Sequence, residues 1–198
     1  MELRLVGSEM CIRDRWNYEG TESVASANDI PTNVVDWVLI EIRDADNNDL
    51  IIESRAAFLL NDGSVQDLDG TNGVKLYEAT QNTDYFIVFR HRNHIALASS
   101  AAVTLPNATP HDFTQSANVL AGVSQLTEMS DNTYACIAGD FDSNGIISVF
   151  DFNYYVAETS FINVYTDADA TLDGHVTVSD FNAYLPSLSK IGVSLIRY

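Results

Sequence analysis

The chain is poor in positive charge and in long apolar runs. Only 10 of its 198 residues are Lys or Arg, against 28 that are Asp or Glu, which gives a formal net charge of −18. A protein this acidic repels the phosphates of nucleic acids, so the composition argues against a nucleic-acid partner. No stretch approaches 18 consecutive apolar residues, so no membrane span is expected.

Cysteine and catalytic signatures are scarce as well. The chain has two cysteines, and Cys136 lies in the apolar stretch Tyr-Ala-Cys-Ile, so we expect a small buried hydrophobe and no disulfide. The sequence contains no Gly-x-Ser-x-Gly, no His-Glu-x-x-His and no phosphate-binding loop. Carboxylates are so frequent that no two of them stand out as a glycosidase pair. We therefore expect no catalytic residues and no enzymatic activity.

The first fifteen residues differ in character from the rest. Residues 1–15 (MELRLVGSEMCIRDR) resemble the translated adapter read-through found at the ends of metagenomic gene models, which implies a metagenomic fragment whose native sequence begins near Trp16. The lack of a signal peptide at this end then carries no information about localisation. The segment holds three acids and three bases, so its removal leaves the net charge unchanged.

A β pattern follows. Residues 34–42 (VVDWVLIEI) are dense in β-branched side chains, and further strands are expected at 50–53, 56–60, 74–78, 85–90 and 95–105. Turns rich in Asp, Asn and Gly separate these segments, and no helical period lies between them. We predict a mainly β chain with a small α part, built around an antiparallel β-sandwich of Ig-like or transthyretin-like type.

The expected organisation has four native parts. They are a linker or edge segment at 16–29, the sandwich at 30–115, a connector at 116–135 and a C-terminal unit at 136–198.

One basic cluster, residues 90–94 (RHRNH), ends the strongest of the later strands. One interpretation is an anion or sugar-acid site; the other, which we favour, is a strand end whose arginines pair with nearby carboxylates. His91 and His94 are not spaced to share one strand face, so no zinc site is expected.

The C-terminal unit contains two segments that match each other at a spacing of 29 residues. Residues 140–151 (DFDSNGIISVFD) align with residues 169–180 (DATLDGHVTVSD), and both continue as Phe-Asn. Oxygen-bearing side chains occupy positions 1, 3, 5, 9 and 12 of each segment, and position 7 offers its backbone carbonyl. The candidate ligands are Asp140, Asp142, Asn144, Ile146, Ser148 and Asp151 in the first loop, and Asp169, Thr171, Asp173, His175, Thr177 and Asp180 in the second.

This spacing suits calcium, which takes six to eight hard oxygen ligands. Glycine at position 6, Gly145 or Gly174, allows the sharp turn with positive φ that wraps the ligands around one point. The apolar residue at position 8 is expected to pair the two loops through a short β contact. The sequence thus predicts two Ca²⁺ sites, of which the second is weaker because Thr171 supplies a hydroxyl where the first loop supplies the amide oxygen of Asn144.

The motifs GDFDSNGIISVFDF and DADATLDGHVTVSDF resemble dockerin repeats, which are EF-hand-like loops that lack the entering helix. The resemblance implies a calcium-stabilised loop–helix pair and a cohesin-like partner. More loosely, VDWVLIEIRDA, FRHRN and AGD resemble C-terminal accessory regions of Bacteroidota-type secreted or surface proteins. That likeness implies an extracellular or cell-surface location.

The helix expected after each loop carries an apolar stripe. The stripes Val149, Phe152, Val156 and Val178, Phe181, Leu185 are expected to be buried. Phe150 and Tyr154 lie on a different face of the first helix, where the second has Ser179 and Ala183. They are expected either to contact a partner or to pack onto the rest of the chain.

We therefore favour a non-catalytic accessory module that mediates protein–protein attachment or braces the adjacent sandwich. The alternative is a carbohydrate-binding module attached to an upstream glycan-active enzyme. The candidate partners are a cohesin-like protein, upstream domains of the same chain and a polysaccharide.

Overall fold

The structure, a computed structural model, describes residues 15–16, 18–24, 26–129 and 132–196. The described part contains eight β-strands and two α-helices, and every pair of neighbouring strands in its sheets is antiparallel. The chain is therefore mainly β with a small α part, as the sequence predicts. The adapter-like segment, apart from Arg15, lies outside the described residues.

Six strands form one sheet in the order β3-β2-β1-β4-β5, and β6 pairs with β4. The last two strands form a separate two-stranded ribbon. The bounds are β1 Val34–Asp44, β2 Ile51–Leu60, β3 Val65–Gln66, β4 Thr83–His91, β5 His94–Ala98, β6 Val103–Leu105, β7 Leu126–Glu128 and β8 Tyr134–Cys136.

The central strand β1 is buried along most of its length because both faces of the sheet are covered. On one face Trp37 and Leu39 pack with Phe58 of β2, beneath partly buried residues of the N-terminal segment. On the other face Val38 and Ile40 form a core with apolar side chains of β4, β5 and the ribbon. The long β-branched run of β1 is thus explained by burial on both sides.

Cys136 ends the ribbon as a half-buried free thiol. Burial raises its pKa to about 12. A thiol held in its neutral form is a poor nucleophile, which agrees with the structural role expected from its apolar neighbours.

Four of the predicted strand segments need correction. The segments 50–53 and 56–60 form one continuous strand, and 95–105 is divided where the chain leaves the sheet at Ser100. Residues 74–78 are not a strand, because the Glu53 carboxylate accepts the backbone N–H groups of Tyr77 and Glu78 at 2.8 Å. A side chain thus satisfies donors that a strand ladder would otherwise use.

Two helices follow the ribbon, α1 at Val149–Glu158 and α2 at Val178–Tyr184. Each begins with a capping box, in which the Ser148 or Thr177 side chain accepts a backbone N–H of the first turn and Asp151 or Asp180 accepts the N–H of the cap residue. The helices pack through a cluster of aromatic rings: Phe152, Tyr155, Phe181 and Tyr184.

The predicted buried stripes are wrong except for their central phenylalanines. Val149 is 61% exposed and Val178 is 65% exposed, and Val156 and Leu185 are exposed as well. The reason is that Asp151 and Asp180 point into the preceding loops, which fixes the rotation of each helix. The side chains that follow one turn later, Tyr155 and Tyr184, therefore share the inner face.

Candidate metal centre

Three carboxylates of the first loop converge. Asp140, Asp142 and Asp151 each offer an oxygen atom, and these atoms all lie within 4.8 Å of one another. Asp140 and Asp151 are buried, whereas Asp142 is half-buried. Among the described His, Cys, Asp and Glu side chains, this group is the one that meets the geometry of a metal site.

Asp140 is the least satisfied member. Its side chain is buried, with 2% of the residue exposed. Oδ2 accepts the Gly145 N–H at 3.0 Å, but Oδ1 has no hydrogen-bond partner. Burial, followed by repulsion from Asp151, raises the pKa of this carboxyl to about 7. A buried carboxylate oxygen without a partner is unfavourable unless a cation or a proton compensates it.

The other members are held by the loop backbone. Asp151 accepts the N–H groups of Phe141 and Ser148, both at 2.8 Å, one on each carboxylate oxygen. Asn144 accepts the Ile146 N–H at 2.7 Å and donates to Asp142 at 2.8 Å. Burial also raises the pKa of Asp151. The loop thus orients its ligands before any ion binds.

The second loop repeats this skeleton. The Gly174 N–H donates to Asp169 at 2.7 Å, the His175 N–H to Asp173 at 2.8 Å, and the Thr177 N–H to Asp180 at 2.7 Å. The positive-φ residues recur at the same spacing of 29: Ser143 and Leu172, Gly145 and Gly174, Ser160 and Ser189. The predicted internal repeat is therefore present in the backbone.

The second loop differs at its centre. Both oxygens of Asp169 accept backbone N–H groups, from Asp173 at 3.1 Å and from Gly174. Thr171 donates its hydroxyl to Asp180 at 3.0 Å. The His175 ring lies 3.4 Å from the carboxylate of Asp173, another candidate ligand. The carboxylates of the second loop are not among the convergent groups of the described residues.

The predicted contact between the two position-8 residues is wrong. Ile147 pairs with the segment after α2, donating to the Lys190 carbonyl and accepting the Ser189 N–H, both at 2.9 Å. Val176 pairs with the segment after α1 in the same way, through Ser160 and Phe161. Each loop is thus closed by the chain that follows the other repeat's helix. The sequence alone does not indicate these closing segments. In the structure each contains a serine with positive φ, Ser160 or Ser189.

The turn between β4 and β5 lies between the two loops. Asn93 donates its amide to the Asp167 carbonyl at 3.0 Å and to the Asp169 carbonyl at 2.7 Å. On the other side, the Gly139 N–H donates to the Asn93 carbonyl at 2.9 Å and Ser143 donates to the Arg92 carbonyl at 2.8 Å. Sequence reasoning missed this contact, since residues 90–94 gave only a charge pattern.

The two arginines of residues 90–94 form buried ion pairs with carboxylates of strand β1. Arg90 contacts Glu41 through its Nε at 2.5 Å, and the Arg92 Nε contacts Asp36 at 3.0 Å. This confirms the interpretation as a strand end with paired arginines. Burial tends to raise the Asp36 pKa, but Arg92 and His91 hold it well below its usual range.

The two histidines meet, contrary to expectation. The rings of His91 and His94 lie 4.7 Å apart in an edge-on arrangement. The reason is that the two residues flank a tight turn and pair across the hairpin. Spacing along a single strand therefore does not apply to them.

Arg15, the last residue of the adapter-like segment, also reaches this junction. Its guanidinium donates to the carbonyls of Arg92 and Phe141 at 2.9 and 3.0 Å and forms an ion pair with Asp167. The Phe141 carbonyl belongs to the first loop, but none of these contacts is made to the three convergent carboxylates.

Comparison with protein-family models, with curated proteins and with solved structures gave no match for this chain. No helix in the described ranges is long and apolar enough to cross a membrane.

Proposed function

We propose that the chain is a non-catalytic, calcium-stabilised accessory module of a secreted or cell-surface protein. In this proposal a dockerin-like repeat pair braces a β-sandwich and offers its helices for attachment to a partner protein. The observation that carries the proposal is the buried Oδ1 of Asp140, which has no hydrogen-bond partner and belongs to a group of three convergent carboxylates.

Calcium fits this donor set best. The convergent ligands are all carboxylate oxygens, which favour hard cations over zinc or copper. The backbone N–H groups that hold Asp151 and Asp140 leave the loop curved around one point, with Gly145 at the turn (φ 76°). A loop that places three carboxylates around one point suits the irregular coordination of Ca²⁺ better than the strict octahedron of Mg²⁺.

The bracing role rests on the hairpin. An ion at Asp140, Asp142 and Asp151 would order the loop that contains Ser143, and Ser143 donates to the Arg92 carbonyl. Strand β5 continues the same contact, because the Ile95 N–H donates to the Ile137 carbonyl at 2.9 Å. Order in the first loop would therefore be transmitted directly to the sheet.

The attachment role rests on exposed apolar side chains. Phe150 is 66% exposed and Tyr154 is 44% exposed, so both side chains present apolar surface to solvent. No Lys or Arg lies between Arg92 and Lys190, so the surroundings of this face are acidic. A partner with an apolar surface rimmed by bases would complement it, whether a cohesin-like protein or an upstream domain of the same chain.

Calorimetric titration of calcium into chelator-stripped protein tests the proposal. We expect saturable calcium binding by the 198-residue chain, abolished by Asp140→Asn. The matched control is Asp62→Asn, an exposed turn carboxylate with local hydrogen bonds to Ser64, which should bind like the unmodified chain. An absence of calcium binding would overturn the proposal.

The carbohydrate-binding alternative depends on aromatic side chains. Tyr77 is exposed, but Tyr85 and Phe89 are buried, so these three residues form no exposed row. A cleft of about 560 Å³ beside β1 and β2 is lined in part by Trp16 and Tyr18. These aromatic side chains are the observation that favours a polysaccharide ligand. Affinity electrophoresis through gels containing soluble polysaccharides tests it, with Trp16→Ala expected to abolish any retardation.

A further inference from the structure

The two loops contact opposite sides of the β4–β5 turn. The second loop accepts hydrogen bonds from the turn, since Asn93 donates to the carbonyls of Asp167 and Asp169 and Arg92 donates to the Thr166 carbonyl. The first loop donates to the turn, through the Gly139 N–H and the Ser143 hydroxyl. The turn therefore gives side-chain donors to the second loop and backbone acceptors to the first.

Arg92 brings a positive charge to the second loop. Its side chain is buried, its Nε pairs with Asp36, and its guanidinium lies 4.3 Å from the centre of the Tyr165 ring. Its guanidinium also donates to the Thr166 carbonyl, which accepts the backbone N–H of Asp169, the first ligand position of the loop, at 3.3 Å. A fixed cation close to a ligand carboxylate reduces the attraction of that site for a second cation.

The carboxylates of the second loop are also satisfied without an ion. Asp169 accepts two backbone N–H groups, and Asp180 accepts the Thr171 N–H at 3.0 Å together with its hydroxyl. The matching oxygen in the first loop, Oδ1 of Asp140, has no partner. Although the two loops share one sequence pattern, the buried carboxylate oxygen without a hydrogen-bond partner lies in the first loop.

We propose that Arg92 and Asn93 take the place of the ion at the second loop, so that each chain binds one calcium ion, at Asp140, Asp142 and Asp151. This inference rests on the proposed calcium binding of the first loop. The sequence pattern predicts two calcium sites. According to this inference the chain has one calcium site, and the second loop is held by side chains of the β4–β5 turn.

The number of bound ions tests this inference. Equilibrium dialysis of the stripped 198-residue chain against calcium should give one ion per chain. Asp140→Asn should abolish binding, and Asp169→Asn should leave one ion bound with affinity within about twofold of the unmodified chain. Two ions per chain, one lost in each variant, would overturn the inference and leave the proposed function intact. No bound ion at all would overturn both.

Hydrogen exchange followed by mass spectrometry supplies a readout that does not depend on the variants folding equally well. In the unmodified chain, calcium should increase protection of peptides covering residues 140–151 more than those covering 169–180. Asn93→Ala should reduce protection of the 169–180 peptides by a similar factor with and without calcium. Equal calcium-induced protection of both loops would contradict the assignment of the second loop to the hairpin.

Discussion

The two loops of the C-terminal unit show how one motif can be completed in two ways. Their backbone hydrogen bonds and positive-φ residues repeat at a spacing of 29, so the local sequence determines the same skeleton twice. They differ in what lies against them, since the β4–β5 turn gives donors to one loop and acceptors to the other. The ligand pattern thus determines the shared skeleton, whereas the loops differ in the groups of the turn that they contact and in the oxygen of Asp140, which has no hydrogen-bond partner.

Removing the charge beside the second loop should have the largest effect. Arg92→Met leaves Asp36 buried at the centre of the sheet without its arginine partner. Breaking a buried ion pair costs about 3–5 kcal/mol, and we expect a loss of this size in urea denaturation in chelator. Lys75→Met, which breaks an exposed ion pair with Asp69, is the control and should leave the midpoint unchanged. A small loss for Arg92→Met would show that this buried pair does not stabilise the sheet.

Substitution at the twelfth loop position should separate the two loops. Asp151→Ala and Asp180→Ala remove equivalent helix caps, so they should cost similar free energy in chelator. With free calcium at 100 times its dissociation constant, Asp151→Ala should cost about 2.7 kcal/mol more, because only that variant also loses the ion. The measurement is urea denaturation of both variants in the two conditions. Equal losses in calcium would mean that the loops do not differ in ion binding.

The pH dependence of the metal-free protein should report on Asp140. Its folded pKa of about 7 lies above its ordinary value of 3.8. Between these values the unfolded chain releases a proton that the folded chain retains, so this group's contribution to stability is present below pH 3.8 and is lost as the pH rises to about 7. Asp36 acts in the opposite direction, since its lowered pKa destabilises the fold at low pH.

Comparison with Asp140→Asn isolates the contribution of Asp140 to the pH dependence of stability. The stability of the unmodified metal-free chain, relative to this variant, should fall between pH 4 and pH 7 in urea denaturation. Calcium affinity should rise over the same range, by at most about tenfold per pH unit, because the ion displaces the proton. Parallel pH profiles for the two proteins would refute the assignment of a raised pKa to Asp140.

The outer face of α1 should contribute least to stability. Phe150→Ser combined with Tyr154→Ala changes two exposed side chains, so we expect a change within about 0.5 kcal/mol. Thermal unfolding measures this, and Phe152→Ala, which opens the aromatic cluster, is the contrasting variant with an expected loss of about 3–5 kcal/mol. A large loss in the double variant would place this face in an intramolecular contact.

Much of the C-terminal unit follows from local sequence. The spacing of Asp140, Gly145 and Asp151 predicts the loop, its turn and the helix that follows, because each contact spans fewer than twelve residues. The rotation of that helix was not predicted, since the stripe of Val149 and Val156 suggested burial and the orientation of Asp151 decided otherwise.

Long-range contacts were largely beyond the sequence. Asn93 meets Asp169 across 76 positions, and nothing in the local pattern of either residue indicates the contact. Likewise, the mainly β architecture was predictable from β-branched runs, but the pinning of residues 77–78 by Glu53 was not. Pattern reasoning succeeds where a hydrogen bond closes within a loop and fails where a side chain reaches from another element.

Thermal unfolding of the stripped chain in calcium and in EGTA tests calcium stabilisation most directly. With free calcium at 100 times its dissociation constant, binding adds about 2.7 kcal/mol, which corresponds to a rise in melting temperature of roughly 5–10 °C for a chain of this size. Asp140→Asn should melt at the same temperature in both conditions. Identical melting temperatures for the unmodified chain in calcium and in EGTA, with removal of metal verified by elemental analysis, would contradict a calcium site at Asp140, Asp142 and Asp151.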